Sequence, residues 1–199
     1  VVLYPMEAPN RRREKRRDIL DVLKNEKGYE INEIIDLSEY ENSAHYLEGT
    51  GSIVFDHINK IAYVASSSRS HISPLKKITE QLGYKFFTFQ ANDYTGKPIY
   101  HTNVVMSIGT SFAVINASSI KNHSEKTQLL ELLDSRQIIE ISDEQMGSFA
   151  ANMLEVKNSF GDPYILLSAT ALKSLTSQQL KGLESYATLL PFSIPTIEK

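Results

Sequence analysis

Short apolar runs separated by polar turns recur along the chain in the order strand, strand, helix, strand. In one stretch, apolar runs at 52–55 and 61–65 flank a polar turn, a helix of about 10 residues starts at Pro74, and another apolar run covers 85–89. The run at 61–65 is almost continuously apolar, which is typical of a strand covered on both faces. The pattern therefore predicts a small sheet with a helix packed against it.

The same unit returns at intervals of roughly 50 residues. Complete repeats cover approximately residues 52–90, 104–142 and 153–195, and residues 1–37 contain the same elements without the first strand. Such a unit cannot bury its sheet face alone, so several units must pack around a shared centre, as the blades of a propeller do. Counting gives about 3.7 units. This predicts a single partial α/β domain over residues 1–199.

Capping residues support two of the predicted helices independently of the apolar pattern. Ser73 is the predicted N-cap before Pro74, and Gly83 is predicted to end the same helix in the left-handed conformation. Thr176 and Gln179 have the spacing of a capping box. Both helices are thus predicted by two separate signals, periodicity and capping.

A basic cluster opens the first predicted helix, for which Asn10 is the predicted N-cap. It comprises Arg11, Arg12, Arg13, Lys15, Arg16 and Arg17. Phosphate binding is one interpretation, but no aromatic side chains are interleaved with the basic ones, as they are in sites for single-stranded nucleic acid. A solvated helix face is the favoured interpretation; the alternative places Asn10, Arg11 and Arg12 at the rim of a central cavity.

Composition excludes several classes of function. The net charge of −3 provides no overall field that would attract nucleic acid or an acidic membrane. Cysteine is absent, which excludes disulfides, thiolate metal sites and a cysteine nucleophile within these residues, and the histidines lack the spacing of metal ligands. There is neither a signal peptide nor an apolar run of about 18 residues. We therefore expect a soluble, cytoplasmic protein without metal, cofactor, membrane or nucleic acid partner.

Glu48, His101 and Asn152 each lie directly before the first strand of a repeat. If the repeats are related by rotation, these equivalent positions converge at one end of the axis. A histidine beside a buried carboxylate is the usual arrangement of a general acid–base, because the carboxylate fixes the tautomer and stabilises the imidazolium. Structural roles are the alternative for the glutamate and the histidine. Arg69 follows the second strand of a repeat, where a guanidinium can bind a carboxylate through two bonds.

Four motifs taken together resemble the guanidino-group modifying enzymes, and most closely the arginine deiminase-related proteins, also called citrulline utilisation hydrolases. They are Tyr-Pro-Met-Glu-Ala-Pro-Asn-Arg-Arg at 4–12, Leu-Glu-Gly-Thr-Gly-Ser at 47–52, Ser-Ser-Arg-Ser at 67–70 and Tyr-His-Thr-Asn-Val at 100–104. The resemblance extends over essentially the whole chain. It implies the pentein fold, a β/α propeller of five blades, with the active site at one end of the axis.

The resemblance also implies roles for individual residues. His101 would be the acid and base, Glu48 would orient it, and Arg69 would hold the carboxylate of the substrate. In such enzymes a cysteine attacks the guanidinium or ureido carbon and forms a covalent intermediate. By the family pattern this cysteine is expected just beyond Lys199, and an aspartate that grips the guanidinium just before Val1. The 199-residue chain is therefore expected to be inactive by itself.

Two departures from the family pattern bear on the substrate. The His-x-Asp pattern of arginine deiminases is His101-Thr102-Asn103 here, and Gly51 replaces the aspartate of the Glu-Gly-Gly-Asp turn. An aspartate pairs with a cationic guanidinium, whereas an asparagine can donate a hydrogen bond to a neutral carbonyl oxygen. Asn103 therefore favours a ureido substrate such as citrulline.

The sequence thus predicts a hydrolase of C–N bonds in a small amino acid of the arginine or citrulline type. An amidinotransferase of the same fold is one alternative. Another is a non-catalytic propeller-shaped binding module, for which the basic run at 11–17 would be the contact surface. The open edges of an incomplete ring also favour self-association into a homo-oligomer.

Overall fold

The chain begins with a two-stranded parallel sheet, which is formed by β1 (Val2–Leu3) and β2 (Ile35–Asp36). The computed structural model describes residues 1–194 and 196. Between the two strands lie a 3₁₀ helix, Arg11–Glu14, and helix α1, Arg17–Asn25. The first predicted helix is therefore split into two, and its first turn has 3₁₀ geometry.

The prediction that Asn10 caps the first helix by its side chain is wrong. Asn10 has φ −65° and ψ −32°, and its side chain makes no capping hydrogen bond. These are helical values, whereas an N-cap residue is normally extended so that its side chain can reach the N–H groups of the first turn. The α-helix begins only after Arg16, which is extended but also lacks a side-chain cap.

Three sheets of three strands each follow within the described residues, and in each the central strand pairs antiparallel with the first strand and parallel with the last. The strands are β3 (Val54–Asp56), β4 (Ile61–Ala65) and β5 (Lys85–Phe89); β6 (Met106–Ile108), β7 (Phe112–Ile115) and β8 (Gln137–Glu140); and β9 (Leu154–Lys157), β10 (Pro163–Ser168) and β11 (Thr188–Phe192). The mixed α/β class is as predicted. The residue limits of the repeats stay a prediction, and Pro195, the end of the third repeat, lies outside the described residues.

Helices join the strands within and between these sheets. They are α2 (Gly49–Ser52), α3 (Ile72–Leu82), α4 (Thr102–Val105), α5 (His123–Leu132), α6 (Asp143–Gly147), α7 (Ala169–Ser174) and α8 (Ser177–Glu184). The sequence predicts α3, α5 and α8, each between the central and last strands of a sheet. It does not predict the other four, because helices of four to six residues are too short to show a helical period.

The predicted caps are partly confirmed. Gly83 ends α3 with φ +70°, and Thr176 with Gln179 forms the capping box of α8. Ser73 is not the N-cap of α3, because the helix starts two residues earlier than predicted. The cap is His71, whose Nδ1 accepts a hydrogen bond from the N–H of Ser73 at 3.2 Å.

The first strands of the three sheets are neighbours in space, since β3 lies against β6 and β6 lies against β9. The central strand β4 is buried along almost its whole length, as its continuous apolar run predicts. β7 is buried throughout, whereas buried and half-buried residues alternate along the apolar run at 164–167 in β10. One large apolar core includes Tyr63, Phe112 and Ile165, one residue from each central strand. The segments that lead into the first strands therefore approach one another at one end of the core.

Candidate active site

Glu48 and His101 lie side by side although 53 positions separate them in the chain. Nε2 of His101 lies 2.8 Å from Oε2 of Glu48. Both side chains are buried, with 1% of the Glu48 side chain and 11% of the His101 side chain exposed. Each residue directly precedes a one-turn helix, α2 or α4, that leads into the first strand of a sheet. Because β3 and β6 are neighbours, these two helix starts bring the side chains together.

Thr102 fixes the position of α4 against the preceding unit. Its hydroxyl donates to the carbonyl of Ser52, the last residue of α2, and accepts a hydrogen bond from the N–H of Ala65 in β4 at 2.7 Å. Thr102 is fully buried. Since Thr102 follows His101 directly, these bonds hold the backbone of His101 at a set distance from the turn that carries Glu48.

The imidazole of His101 packs directly on the backbone of Gly51. A Cβ added at Gly51 would lie 2.8 Å from Nδ1 and 2.9 Å from Cε1 of that ring. Carbon atoms in van der Waals contact are normally about 3.5 to 4.0 Å apart. Only glycine leaves room for the ring here, which gives a physical reason for the residue that departs from the Glu-Gly-Gly-Asp pattern.

The Glu48 carboxylate is surrounded by hydrogen-bond donors and positive charge. Oε1 accepts the backbone N–H of Glu7 at 3.0 Å. Oε2, which faces His101, also lies 3.5 Å from a terminal nitrogen of Arg11 and 3.7 Å from one of Arg69. Both oxygens of the buried carboxylate therefore have a donor or a positively charged group beside them.

The protonation state of His101 follows from these surroundings. Burial lowers the pKa of His101 from its ordinary value of 6.5, Glu48 opposes this shift, and Arg69 and Arg11 reinforce it. His101 is therefore neutral at pH 7. Because an ionised carboxylate can only accept hydrogen bonds, the ring proton lies on Nε2 and Nδ1 remains free to take a proton.

Arg69 stands next to the pair and is partly exposed. Its Nε donates to Oε2 of Glu7 at 3.0 Å, and its guanidinium lies 5.1 Å from the centre of the Tyr100 ring. One third of the side chain is accessible to solvent. The predicted role of Arg69 in holding a substrate carboxylate stays a prediction, and such a ligand would meet a guanidinium that is already hydrogen-bonded to Glu7.

Asn103 and Asn152 line a cavity of about 470 Å³ between the first strands of the three sheets. Thr50 and Ser107 also contribute to its walls. Asn152, the third residue of the predicted convergent set, faces this cavity; among the described residues it makes no hydrogen bond to Glu48 or His101. The structure therefore brings two of the three residues together, whereas the third lines a cavity whose walls do not include Glu48 or His101.

Sequence analysis missed Glu7, whose backbone N–H contacts the pair, and placed Arg11 near the site only in the alternative to a solvated helix face. For Arg11 the favoured interpretation is wrong, since its guanidinium reaches Glu48. Both residues belong to the motif at 4–12, and this motif is the sequence feature that could have identified them as residues of the site. A run of arginines by itself does not tell which one turns inward.

The described residues provide no group of three or more His, Cys, Asp and Glu side chains that could hold a metal ion. Within the same part of the chain, no helix has the length and apolar character needed to cross a membrane.

Comparison with known proteins gives a family and a set of similar folds. The family model described as N,N-dimethylarginine dimethylhydrolase, eukaryotic, matches residues 1–199. A search of curated protein sequences finds no match.

Solved structures with a similar fold include ArgZ, an arginine dihydrolase from the ornithine-ammonia cycle in cyanobacteria. The apo structure of ArgZ superposes with a TM-score of 0.71 at 15% identity over 99% of this chain and 28% of that one. Its substrate-bound N-terminal domain gives 0.70 at 15% identity, covering 100% of this chain and 65% of that one. The dimethylarginine hydrolase DDAH from Pseudomonas aeruginosa, complexed with citrulline, gives 0.61 at 12% identity with coverages of 100% and 65%. The chain spans less than two thirds of the length of each of these proteins.

Proposed function

Because the chain belongs to the N,N-dimethylarginine dimethylhydrolase family of guanidino-group modifying proteins, we propose that it hydrolyses a C–N bond of a guanidino or ureido amino acid. The observation that carries the proposal is the buried hydrogen bond of 2.8 Å between His101 and Glu48. Burial of the pair keeps the imidazole neutral, and the bond leaves one ring nitrogen free. This is the state required of a general base.

In the proposed reaction His101 moves protons and a cysteine thiol carries the covalent chemistry. The thiol passes its proton to Nδ1 of His101, and the thiolate attacks the guanidino or ureido carbon. The C–N bond then breaks, and the imidazolium gives its proton to the leaving nitrogen. Water next attacks the carbon of the covalent intermediate while His101 takes up a proton from the water, the C–S bond breaks, and the imidazolium returns the proton to the cysteine sulfur as the product leaves. The sequence contains no cysteine, so in this proposal the nucleophile is supplied from outside the 199 residues, and the chain by itself is inactive.

Glu48 serves the same reaction without touching the reacting atoms. Its carboxylate accepts the Nε2 proton of His101, which fixes the tautomer and stabilises the imidazolium once it forms. Arg69 is assigned to the carboxylate of the amino acid substrate, because its guanidinium is partly exposed beside the pair.

For the fold we propose a five-bladed propeller of the pentein type, to which these residues contribute about 3.7 blades. The shared strand order of the three sheets and the contact of their first strands around one cavity support this arrangement. In such a ring the substrate would enter the cavity lined by Asn103 and Asn152.

The side chain of Asn103 supports a neutral ureido group as the substrate of this site. The cavity walls offer the hydroxyl of Thr50, the carboxamides of Asn103 and Asn152, and also the carboxylate of Glu155. Carboxamides can donate to the carbonyl oxygen and accept from the amino group of a ureido substrate. We therefore propose citrulline or a similar ureido amino acid as the preferred substrate class.

Release of amines from a small panel of substrates tests the proposed function. We expect a form of the protein that carries the cysteine to release ammonia from citrulline or arginine, or dimethylamine from N,N-dimethylarginine, with citrulline preferred. The 199-residue chain should release none. Adding glycine or ornithine as an acceptor checks for group transfer. Absence of turnover with every substrate in the cysteine-containing form would contradict the proposal.

Replacement of Gly51 by alanine tests whether the position of the His101 ring controls the rate. The added Cβ would lie 2.8 Å from Nδ1, so the ring must move away from its place beside Glu48. A displacement of about 1 Å can cost roughly 10²-fold in rate, and we expect a loss of this order in kcat. Gly147→Ala is the matched control, because an added Cβ there meets nothing within 4 Å. Equal losses in the two variants, or none in Gly51→Ala, would contradict the assignment.

A further inference from the structure

The guanidinium of Arg11 is held from two sides. Its Nε and one terminal nitrogen donate to the two carboxylate oxygens of Glu14, at 2.9 and 3.1 Å. The remaining terminal nitrogen points to Oε2 of Glu48 at 3.5 Å. A fork-like pairing of this kind fixes the plane of the guanidinium. Glu14 therefore aims the third arm of Arg11 at the buried carboxylate.

We propose that Arg11 is a positioning residue of the active site: it holds the Glu48 carboxylate in place beside His101, so that His101 keeps its proton on Nε2 and presents a free Nδ1. The catalytic role of Arg11 in this inference rests on the proposed function. The effect of Arg11 on Glu48 and His101 can be measured even in a protein that turns over no substrate. Arg11 acts through Glu48.

The balance of charge around His101 gives the physical reason. The groups that face it or its carboxylate partner are Glu48, Arg11, Arg69, the backbone N–H of Glu7 and the ring of Tyr100. A single carboxylate at 2.8 Å would favour the protonated imidazole. Burial is the largest cause that keeps the pKa of His101 low, and the two guanidinium groups beside the same oxygen act in the same direction by compensating part of that negative charge.

Arg11 and Arg69 are not equivalent in this balance. Arg69 lies slightly farther from Glu48, at 3.7 Å against 3.5 Å for Arg11, although each of the two arginines also pairs with a second carboxylate, that of Glu7 or of Glu14. Arg69 is also the residue assigned to the substrate carboxylate. Arg11 keeps its contact with Glu48 through Glu14 and has no assigned substrate contact. Removal of Arg11 therefore isolates the effect on the Glu48–His101 pair.

Titration of His101 by NMR tests the proposal in the protein without any substrate. The imidazole signals are assigned by comparison with His101→Gln. We expect Arg11→Gln to raise the pKa of His101, because a positive charge next to the pair is lost. Arg11→Lys keeps the charge but not the two-bonded pairing with Glu14. The pKa of His101 in this variant should lie between its values in the unsubstituted protein and in Arg11→Gln. Arg13→Gln is the matched control, since Arg13 is an exposed neighbour in the same 3₁₀ helix, and it should leave the titration unchanged.

An unchanged or lowered pKa of His101 in Arg11→Gln would overturn the proposal, and so would an equal rise in Arg13→Gln. If Arg11→Gln does not fold, Arg11→Met serves instead, because it also removes the positive charge and leaves Glu14 and Glu48 unchanged, and the same upward direction is expected. The measurement stays valid if the protein hydrolyses none of the substrates tested. Failure of the proposed function and failure of this inference are therefore distinguishable.

Discussion

His101→Ala should lower the rate of hydrolysis by about 10² to 10⁴, the usual contribution of a general acid–base. The variant removes the group of the buried pair that takes up and returns the proton in the proposed reaction. The loss is expected in kcat, because proton transfer belongs to the chemical step. Steady-state kinetics with the preferred substrate of the cysteine-containing form measures it.

Two further variants separate the loss of chemistry from the loss of packing. His101→Gln keeps a carboxamide that can donate to Glu48 but cannot act as a base, and it should lose as much rate as the alanine variant. His123→Ala removes an exposed histidine at the first position of α5 and should retain full activity. Unchanged turnover in His101→Gln would remove His101 from the proposed mechanism. Far-ultraviolet circular dichroism shows whether each variant is folded.

The meeting of Glu48 and His101 could be anticipated from sequence because both occupy the same position in successive units. Each precedes the first strand of its unit, and neighbouring first strands bring those positions together. The intervening helices α2 and α4 were not anticipated. They consist of four residues each, and hydrogen bonds through Thr102 rather than periodicity hold them in place.

The contacts of Arg11 and the cap of α3 could not be anticipated in this way, because both depend on tertiary structure. Arg11 differs from its basic neighbours only in what lies opposite it, namely a buried carboxylate from a distant turn. His71 caps α3 although histidine is not among the preferred N-cap residues. Its ring stacks on that of His45 at a centroid distance of 3.7 Å, which orients Nδ1 towards the helix. Neither partner is adjacent in sequence.

The ion pair of Arg136 and Asp56 joins the sheet of β3–β5 to the sheet of β6–β8, and breaking it should strongly destabilise the fold. The pair is buried, with 2% and 0% of the two side chains exposed, and a terminal nitrogen of Arg136 lies 2.8 Å from Oδ1 of Asp56. Nε of the same arginine donates to the carbonyl of Gly109 at 3.0 Å. Removing one partner of a buried pair leaves an uncompensated charge, which typically costs about 3 to 5 kcal/mol.

We therefore expect Arg136→Leu to lower the free energy of unfolding by about 3 to 5 kcal/mol in urea titrations at pH 7. Arg13→Leu, at an exposed site, should change it by less than about 0.5 kcal/mol. The double variant Arg136→Leu with Asp56→Asn should recover part of the loss, because the unpaired charge is then gone. A loss in Arg136→Leu no larger than in Arg13→Leu would contradict the structural role of the pair.

The pH dependence of this loss follows from the pKa of Asp56. Burial raises that pKa, but hydrogen bonds from Asn59 and Arg136 outweigh it and lower the pKa below its ordinary value of 3.8. A carboxyl group with a lowered pKa stabilises the folded state above its unfolded pKa, and this contribution disappears as the pH falls through the folded value. In Arg136→Leu the carboxyl group can instead become protonated and neutral at a higher pH. The difference in unfolding free energy between the two proteins should therefore be constant near neutral pH and shrink on acidification, whereas a difference due to lost packing alone would not change with pH.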